Sequence, residues 1–141
     1  MLTSEEKLAI KETIATAEKE SSGEIRVCVE VRCPAGQSSL DRATACFHRL
    51  KMHKTALRNG VLIYVAWTDR QFAVIGDIGI NKLVPVDFWE ATKSSMLAFF
   101  KKGEIAKGIV RGVLTVGQQL GEFFPHQSND VNEISDEVVV L

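Results

Sequence analysis

Apolar residues recur along this chain at two spacings, and the switches between them mark out its elements. Ile10, Ile14 and Ala17 fall three and four apart, the spacing that lines one face of a helix. Thr3 precedes them with Glu6 three residues on, the arrangement in which two side chains satisfy free backbone N–H groups of a first helical turn. Gly23 is the expected stop. "EIRVCVEV" then alternates strictly, with Ile25, Val27, Val29 and Val31 on one side and Glu24, Arg26, Cys28 and Glu30 on the other. The alternation predicts a strand with one wetter face, near a sheet edge.

"CPAGQSS" reads as a loop, and Ser38 as the cap of a second helix with Asp41 in its first turn. Leu40, Ala43, Phe47 and Leu50 return to helical spacing. Val61 to Trp67 is almost continuously apolar, which predicts a central strand buried on both faces. Thr68-Asp69-Arg70 leaves room only for a tight connection, so Gln71 to Ile75 folds back as an antiparallel partner. After "GDIGI" an irregular segment runs to Pro85. Asp87 is the expected cap of a helix, with Glu90 at the capping-box position and Trp89, Met96, Phe99 and Phe100 on its buried side. Lys101-Lys102-Gly103 ends it. Glu104 to Phe123 is a last helix, on which Gly108, Gly112, Gly117 and Gly121 predict close packing against a neighbour.

A strand–helix–strand unit implies a parallel pair, and the hairpin adds an antiparallel strand. The expected fold is therefore α/β: a three-layer α/β/α sandwich with a short mixed sheet and helices on both faces. Residues 1–124 form the expected domain, and 125–141 an acidic tail whose final Val138-Val139-Val140-Leu141 would add an edge strand.

Composition narrows the function classes. The chain has 141 residues, 45% of them hydrophobic and 25% charged, as in a globular domain. A net charge of -1 argues against a general nucleic-acid binder. The longest apolar run is far short of the roughly 20 residues that span a bilayer, so no membrane insertion is expected. Cys28, Cys33 and Cys46 make no CxxC pair and read as buried free thiols. With no secretory leader evident, these thiols point to a cytoplasmic location.

"GEIRVCVEV", "RNGVLIYVAWTDRQFAVIGDIGI", Trp89, "FFKKGEIAKGI" and "FFPHQSNDVNEISDE" together resemble the TPM domain superfamily, which includes a thylakoid-lumen acid phosphatase and a photosystem II repair protein. The resemblance covers nearly the whole chain. It implies an α/β/α sandwich, divalent-metal binding in loops at one end of the sheet, and phosphatase activity in some members. Best-known members are exported and often membrane-anchored, and many carry a "GYGLE"-like turn where this chain has "GDIGI".

Strand geometry sorts the candidate residues. At about 3.3 Å per residue, the return strand separates Asp69 from Asp77 by on the order of 25 Å, so they cannot share one ion. Asp69 lies just past the carboxyl end of the central strand, where open α/β sheets favour ligands. Asp41 lies at that end too, and Asp87 would join if the Val84-Pro85 loop returns there. Asp69, Asp41 and Asp87 are thus the candidate ligands for Ca²⁺ or Mg²⁺. Asp69 would otherwise be a turn residue and Asp41 a helix-N-terminal charge. Arg70 and Arg58 are candidate anion- or substrate-binding groups, and Asp77 with Arg58 a candidate structural pair. "HRLKMHKTALR" gathers Arg49, Lys51, Lys54 and Arg58 with His48 and His53, a patch that would suit phosphate or simply be solvated. The two histidines, five apart, do not share a helix face. The acidic tail has the charge to fold over this patch.

Two functions follow. One is a non-enzymatic divalent-metal-binding or protein-interaction module, with a protein as its partner. The other is a metal-dependent, acid-phosphatase-like hydrolase of phosphate esters. No Ser/His/Asp or Cys/His constellation stands out by spacing, which favours the first.

Overall fold

A computed structural model describes residues 2–126 and 133–141. Helix α1 (Ser4–Ala17) starts at the expected capping box: Thr3 Oγ1 accepts from Glu6 N at 3.0 Å, and Glu6 Oε1 accepts from Thr3 N at 2.8 Å. It stops at Ala17, with Glu18 as its C-cap, rather than at Gly23. Gly23 has another task, because a Cβ there would stand 2.7 Å from the Leu120 side chain.

Strands β1 (Glu24–Glu30), β2 (Gly60–Ala66) and β3 (Gln71–Gly76), with a short β4 (Val139–Val140), form one sheet in the order β3-β2-β1-β4. β1 and β2 are parallel, from Glu24 opposite Gly60 to Glu30 opposite Ala66. β3 returns antiparallel from the tight turn. β4 runs parallel to β1, with Cys28 opposite Val139, and Leu141 N donates to Val29 O at 2.9 Å. β1 is therefore an interior strand, and its polar face is not wet: Glu24 and Glu30 are 4% and 7% exposed. Strand alternation reported which residues share a face; what covers that face is decided by distant parts of the chain.

One face of the sheet, with Ile25, Val27, Val29, Val61, Ile63, Val65 and Val74, packs against α1, α4 (Glu90–Phe100) and α5 (Ile105–Phe123). The other, with Cys28, Leu62, Tyr64, Ala66 and Ala73, packs against α2 (Ser39–Arg49), Met52 and Ile134. The result is the expected small α/β fold with a mixed four-stranded sheet. α5 lies close to its neighbours because of its glycines: a Cβ on Gly112 would fall 2.6 Å from Met96 Sδ, and one on Gly117 2.9 Å from Ala17 Cβ.

Two local expectations change. The segment after β3 holds a one-turn helix, α3 (Ile78–Asn81), with Asp77 as N-cap. Helix α4 begins two residues later than Asp87 would place it; Trp89 is the N-cap position and makes no side-chain cap bond. Asp87 contributes only its carbonyl, which accepts from Glu90 N at 3.1 Å.

Candidate functional site

The two ends of the sheet carry different chemistry. At the exit end, where β1 and β2 finish, Asp69 Oδ2 accepts from Cys33 N at 2.7 Å and Oδ1 lies 3.6 Å from Arg32 Nη1. The loop after β1 is thereby tied to the hairpin turn. Thr68 N extends the tie by donating to Val31 O at 3.0 Å. Arg70 is exposed, with φ of 54° at the turn. Asp41 is exposed in the first turn of α2, and its backbone N–H donates to Ser38 Oγ at 3.0 Å. Topology brings Asp41 and Asp69 to the same end, yet Asp69 already has partners for both oxygens.

Behind Asp69 sits a buried polar cluster. Glu30 receives both Nε and Nη2 of Arg42, at 2.8 and 3.1 Å, and the hydroxyl of fully buried Tyr64. Burial alone would raise the Glu30 carboxyl; the Arg42 and Tyr64 hydrogen bonds outweigh it and hold the group below the usual carboxylate range. Burial and Glu30 in turn push the Tyr64 phenol up. The neighbouring thiols are inert for the same reason: burial, then Cys46, pushes Cys28 up to about 12, and burial raises Cys46.

At the entry end, Arg58 Nε and Nη2 grip Asp77 at 2.7 and 2.9 Å, and Asp77 Oδ1 also accepts from Ile78 N at 2.7 Å. Gly79 N donates to Arg58 O at 2.9 Å, and a Cβ on Gly79 would lie 2.3 Å from Leu57 O. "GDIGI" is thus a lock between two loops, and the Arg58 guanidinium is engaged by it. Asp87 belongs to this end as well. Trp89, two residues on, would touch a Cβ on Gly76 at 2.8 Å, and Gly76 pairs with Val61 at the start of β2. The loop does not carry Asp87 back to Asp69.

The same end holds an acidic cluster that sequence reading did not assemble. Glu18 Oε2 accepts from Ile25 N at 2.9 Å, and Glu24 Oε1 accepts from Glu133 N at 2.6 Å. Burial first, then a hydrogen bond to Asp136, pushes the Glu18 carboxyl well above the usual carboxylate range. Burial likewise raises Glu24, which also bonds to Glu18. The C-terminal segment therefore crosses residues 18–24 on carboxyl groups. Ile134 is buried against Met52, and Glu137 reaches Lys11 Nζ at 2.6 Å. Within the described residues the tail thus seats its acids on α1 and β1; residues 127–132, including Asp130, lie outside the described residues. Positions 18, 24 and 136 share no local spacing, so no sequence signal joins them.

The basic segment after α2 also closes up. Lys51, at φ of 58°, reverses the chain, and the His48 and His53 rings come to 5.0 Å between centroids. The two histidines do not share a helix face, because α2 ends at Arg49; the turn after it is what brings their rings together.

A family model for the TPM domain matches residues 1–119. The chain belongs to the TPM domain family. Among solved structures, the NMR structure of BA42 from the psychrophilic bacterium Bizionia argentinensis shares 42% identity at a TM-score of 0.93, covering 100% of this chain and 96% of that one. The N-terminal domain of cg2496 from Corynebacterium glutamicum matches with a TM-score of 0.63 at 10% identity, over 99% of this chain and 80% of that one, a likeness of fold alone. No curated protein matches the chain. As a TPM domain, this chain keeps the two loop-bearing sheet ends just described, and no helix among its described residues is long and apolar enough to cross a membrane.

Proposed function

We propose that this TPM domain is a non-enzymatic binding module for a hard divalent cation, Ca²⁺ or Mg²⁺, held at the entry end by Glu18, Glu24 and Asp136. The observation that carries it is the placing of the half-buried Glu18 carboxyl, bonded to Ile25 N at 2.9 Å, beside the Glu24 carboxyl, bonded to Glu133 N at 2.6 Å, under the C-terminal segment that brings Asp136. Carboxyl groups packed together must share protons or a cation. Oxygen donors of this kind suit Ca²⁺ or Mg²⁺. Among the described residues no group of three is arranged to hold an ion, so the three carboxyls must close up around one.

This reading replaces the set of Asp69, Asp41 and Asp87. Asp69 is spent on Cys33 and Arg32, Asp41 stands exposed on α2, and Asp87 is at the other end. For hydrolysis, the nucleophile side is weak: Cys28 and Cys46 are raised thiols, Tyr64 is raised, and Glu30 is closed by Arg42.

The test is a Ca²⁺ and Mg²⁺ titration followed by ¹H–¹⁵N NMR, on the wild type and on Glu18→Gln. Saturable shifts at the Ile25 and Glu133 amides, lost in the variant, are expected. Shifts centred on Cys33 and Asp69 would move the ion to the hairpin tip and overturn the assignment. Turnover of a generic phosphate ester by the cation-loaded protein would overturn the non-enzymatic part.

A further inference from the structure

We propose that a hollow beside Trp67, at the exit end of the sheet, binds a small molecule made of one aromatic ring and a carboxylate. A cavity of about 160 Å³ lies there, walled by Val65, Trp67, Phe100 and Ile105, with Arg70 and Gln71 of the hairpin turn at its edge. Val65 and Trp67 belong to the apolar core between the sheet and helices α1, α4 and α5. The Tyr64 cluster is on the opposite face of the sheet, and the Glu18 and Glu24 carboxyls are at its other end. The walls are held in place. Trp67 N donates to Glu30 O at 3.2 Å, and the Phe100 ring stands edge-on to Phe72 at 5.0 Å between centroids. Gly103 also lines the cavity; it turns the chain from α4 into α5 at φ of 76°, and its N–H donates to Phe100 O at 3.0 Å.

Size and charge select the ligand. An apolar cavity of about 150 Å³ holds one benzene ring. Indole and phenyl walls favour an aromatic ring packed offset or edge-on. Arg70 is the one charged residue lining this cavity. Among the described residues no carboxylate pairs with its guanidinium, and the neighbouring Asp69 is engaged by Cys33 N and Arg32. A guanidinium at the edge of an apolar hollow suits a planar carboxylate, which it can hold through two parallel hydrogen bonds. A second hollow of about 250 Å³ shares Trp67, Gly103 and Ile105 as walls and leaves room for a substituent on the ring. Its two carboxylates are engaged, Glu6 by Thr3 N at 2.8 Å and Glu104 by Lys107 at 3.6 Å.

The probe is benzoate, titrated without divalent cations and followed by ¹H–¹⁵N NMR, so the outcome stands apart from the cation assignment at the entry end. Acetate supplies the charge without the ring, and benzamide the ring without the charge. Saturable benzoate shifts at the Trp67 indole N–H and the Gly103 amide are expected. Benzoate affinity should fall about fivefold in Arg70→Asn, with benzamide binding unchanged. Asn tolerates the left-handed backbone of that turn, so the fold is kept. Ile105→Phe fills the hollow and should weaken both ring probes, and its spectrum reports folding in the same experiment. No saturable shift beyond the acetate arm would overturn the site. Equal benzoate affinity in the wild type and both variants would overturn it too.

Discussion

Glu24 and Glu30 open and close the same strand, point to the same face and are both buried, yet their environments are opposite. Glu30 meets a two-pronged arginine and a tyrosine hydroxyl, and its carboxyl is held below its usual range. Glu24 meets Glu18 and a backbone N–H of the C-terminal segment, and its carboxyl is raised. The exit end is a finished structural device, since Glu30 meets Arg42 and Asp69 meets Arg32. At the entry end Glu18 and Glu24 bond to each other and to backbone N–H groups. Burial by itself makes neither a site nor a scaffold; the sign of the neighbour does.

The largest effect should come from breaking the finished end. Arg42→Met leaves the Glu30 carboxylate buried without its counter-ion and should cost about 3 kcal/mol in urea unfolding. A second step at that end is milder: Tyr64→Phe removes one hydrogen bond to a charged group, a loss of about 2 kcal/mol.

The entry end should respond in the other direction. Glu18→Gln removes a carboxyl that is raised in the fold, and should stabilise the cation-free protein by about 1 kcal/mol at pH 8. If Glu18→Gln were destabilising there, the carboxyl crowding would not be a liability.

The two ends also differ in pH dependence. Glu18 and Glu24 have raised folded-state pKa values, so their contribution is present at low pH and lost as pH rises above the ordinary carboxylate range. Glu30 is lowered, so its contribution is present above that range and lost as pH falls. Amide exchange should therefore show the Glu133 amide opening faster as pH is raised, relative to its intrinsic rate, and the Trp67 amide, which donates to Glu30 O, opening faster as pH is lowered. Added Ca²⁺ should suppress the first and leave the second unchanged. The smallest effect is expected from Asp69→Asn, which keeps an acceptor for Cys33 N and should cost under about 1 kcal/mol.

Local chemistry explains which expectations held. The capping box at Thr3 and Glu6, the Ser38 cap and the tight turn at Thr68 to Arg70 depend on residues within four of one another, and each stands in the structure as its spacing implied. The run Val61 to Ala66 is buried at every position because a parallel strand between two layers has no outward face. Where reading failed, a distant partner had overruled a local signal. Asp87 has the right spacing to Glu90 for a cap, but α4 starts later, where Trp89 packs on Gly76. β1 alternates like an edge strand, but α2 and the C-terminal segment cover its polar face.

The candidate sites divide the same way. The Arg58–Asp77 pair was legible because both residues flank strands already placed by their apolar runs. The exit-end set of Asp69, Asp41 and Asp87 rested on chain order, which cannot tell whether a carboxylate is already bonded. Glu18, Glu24 and Asp136 lie over a hundred positions apart at the extremes. By itself the sequence determined the elements, their order, the mixed sheet and the family, because periodicity, caps and turn residues act over a few positions. Only the tertiary structure decided which buried charges meet a partner and which meet one another, because desolvation and Coulomb energy depend on distance in space.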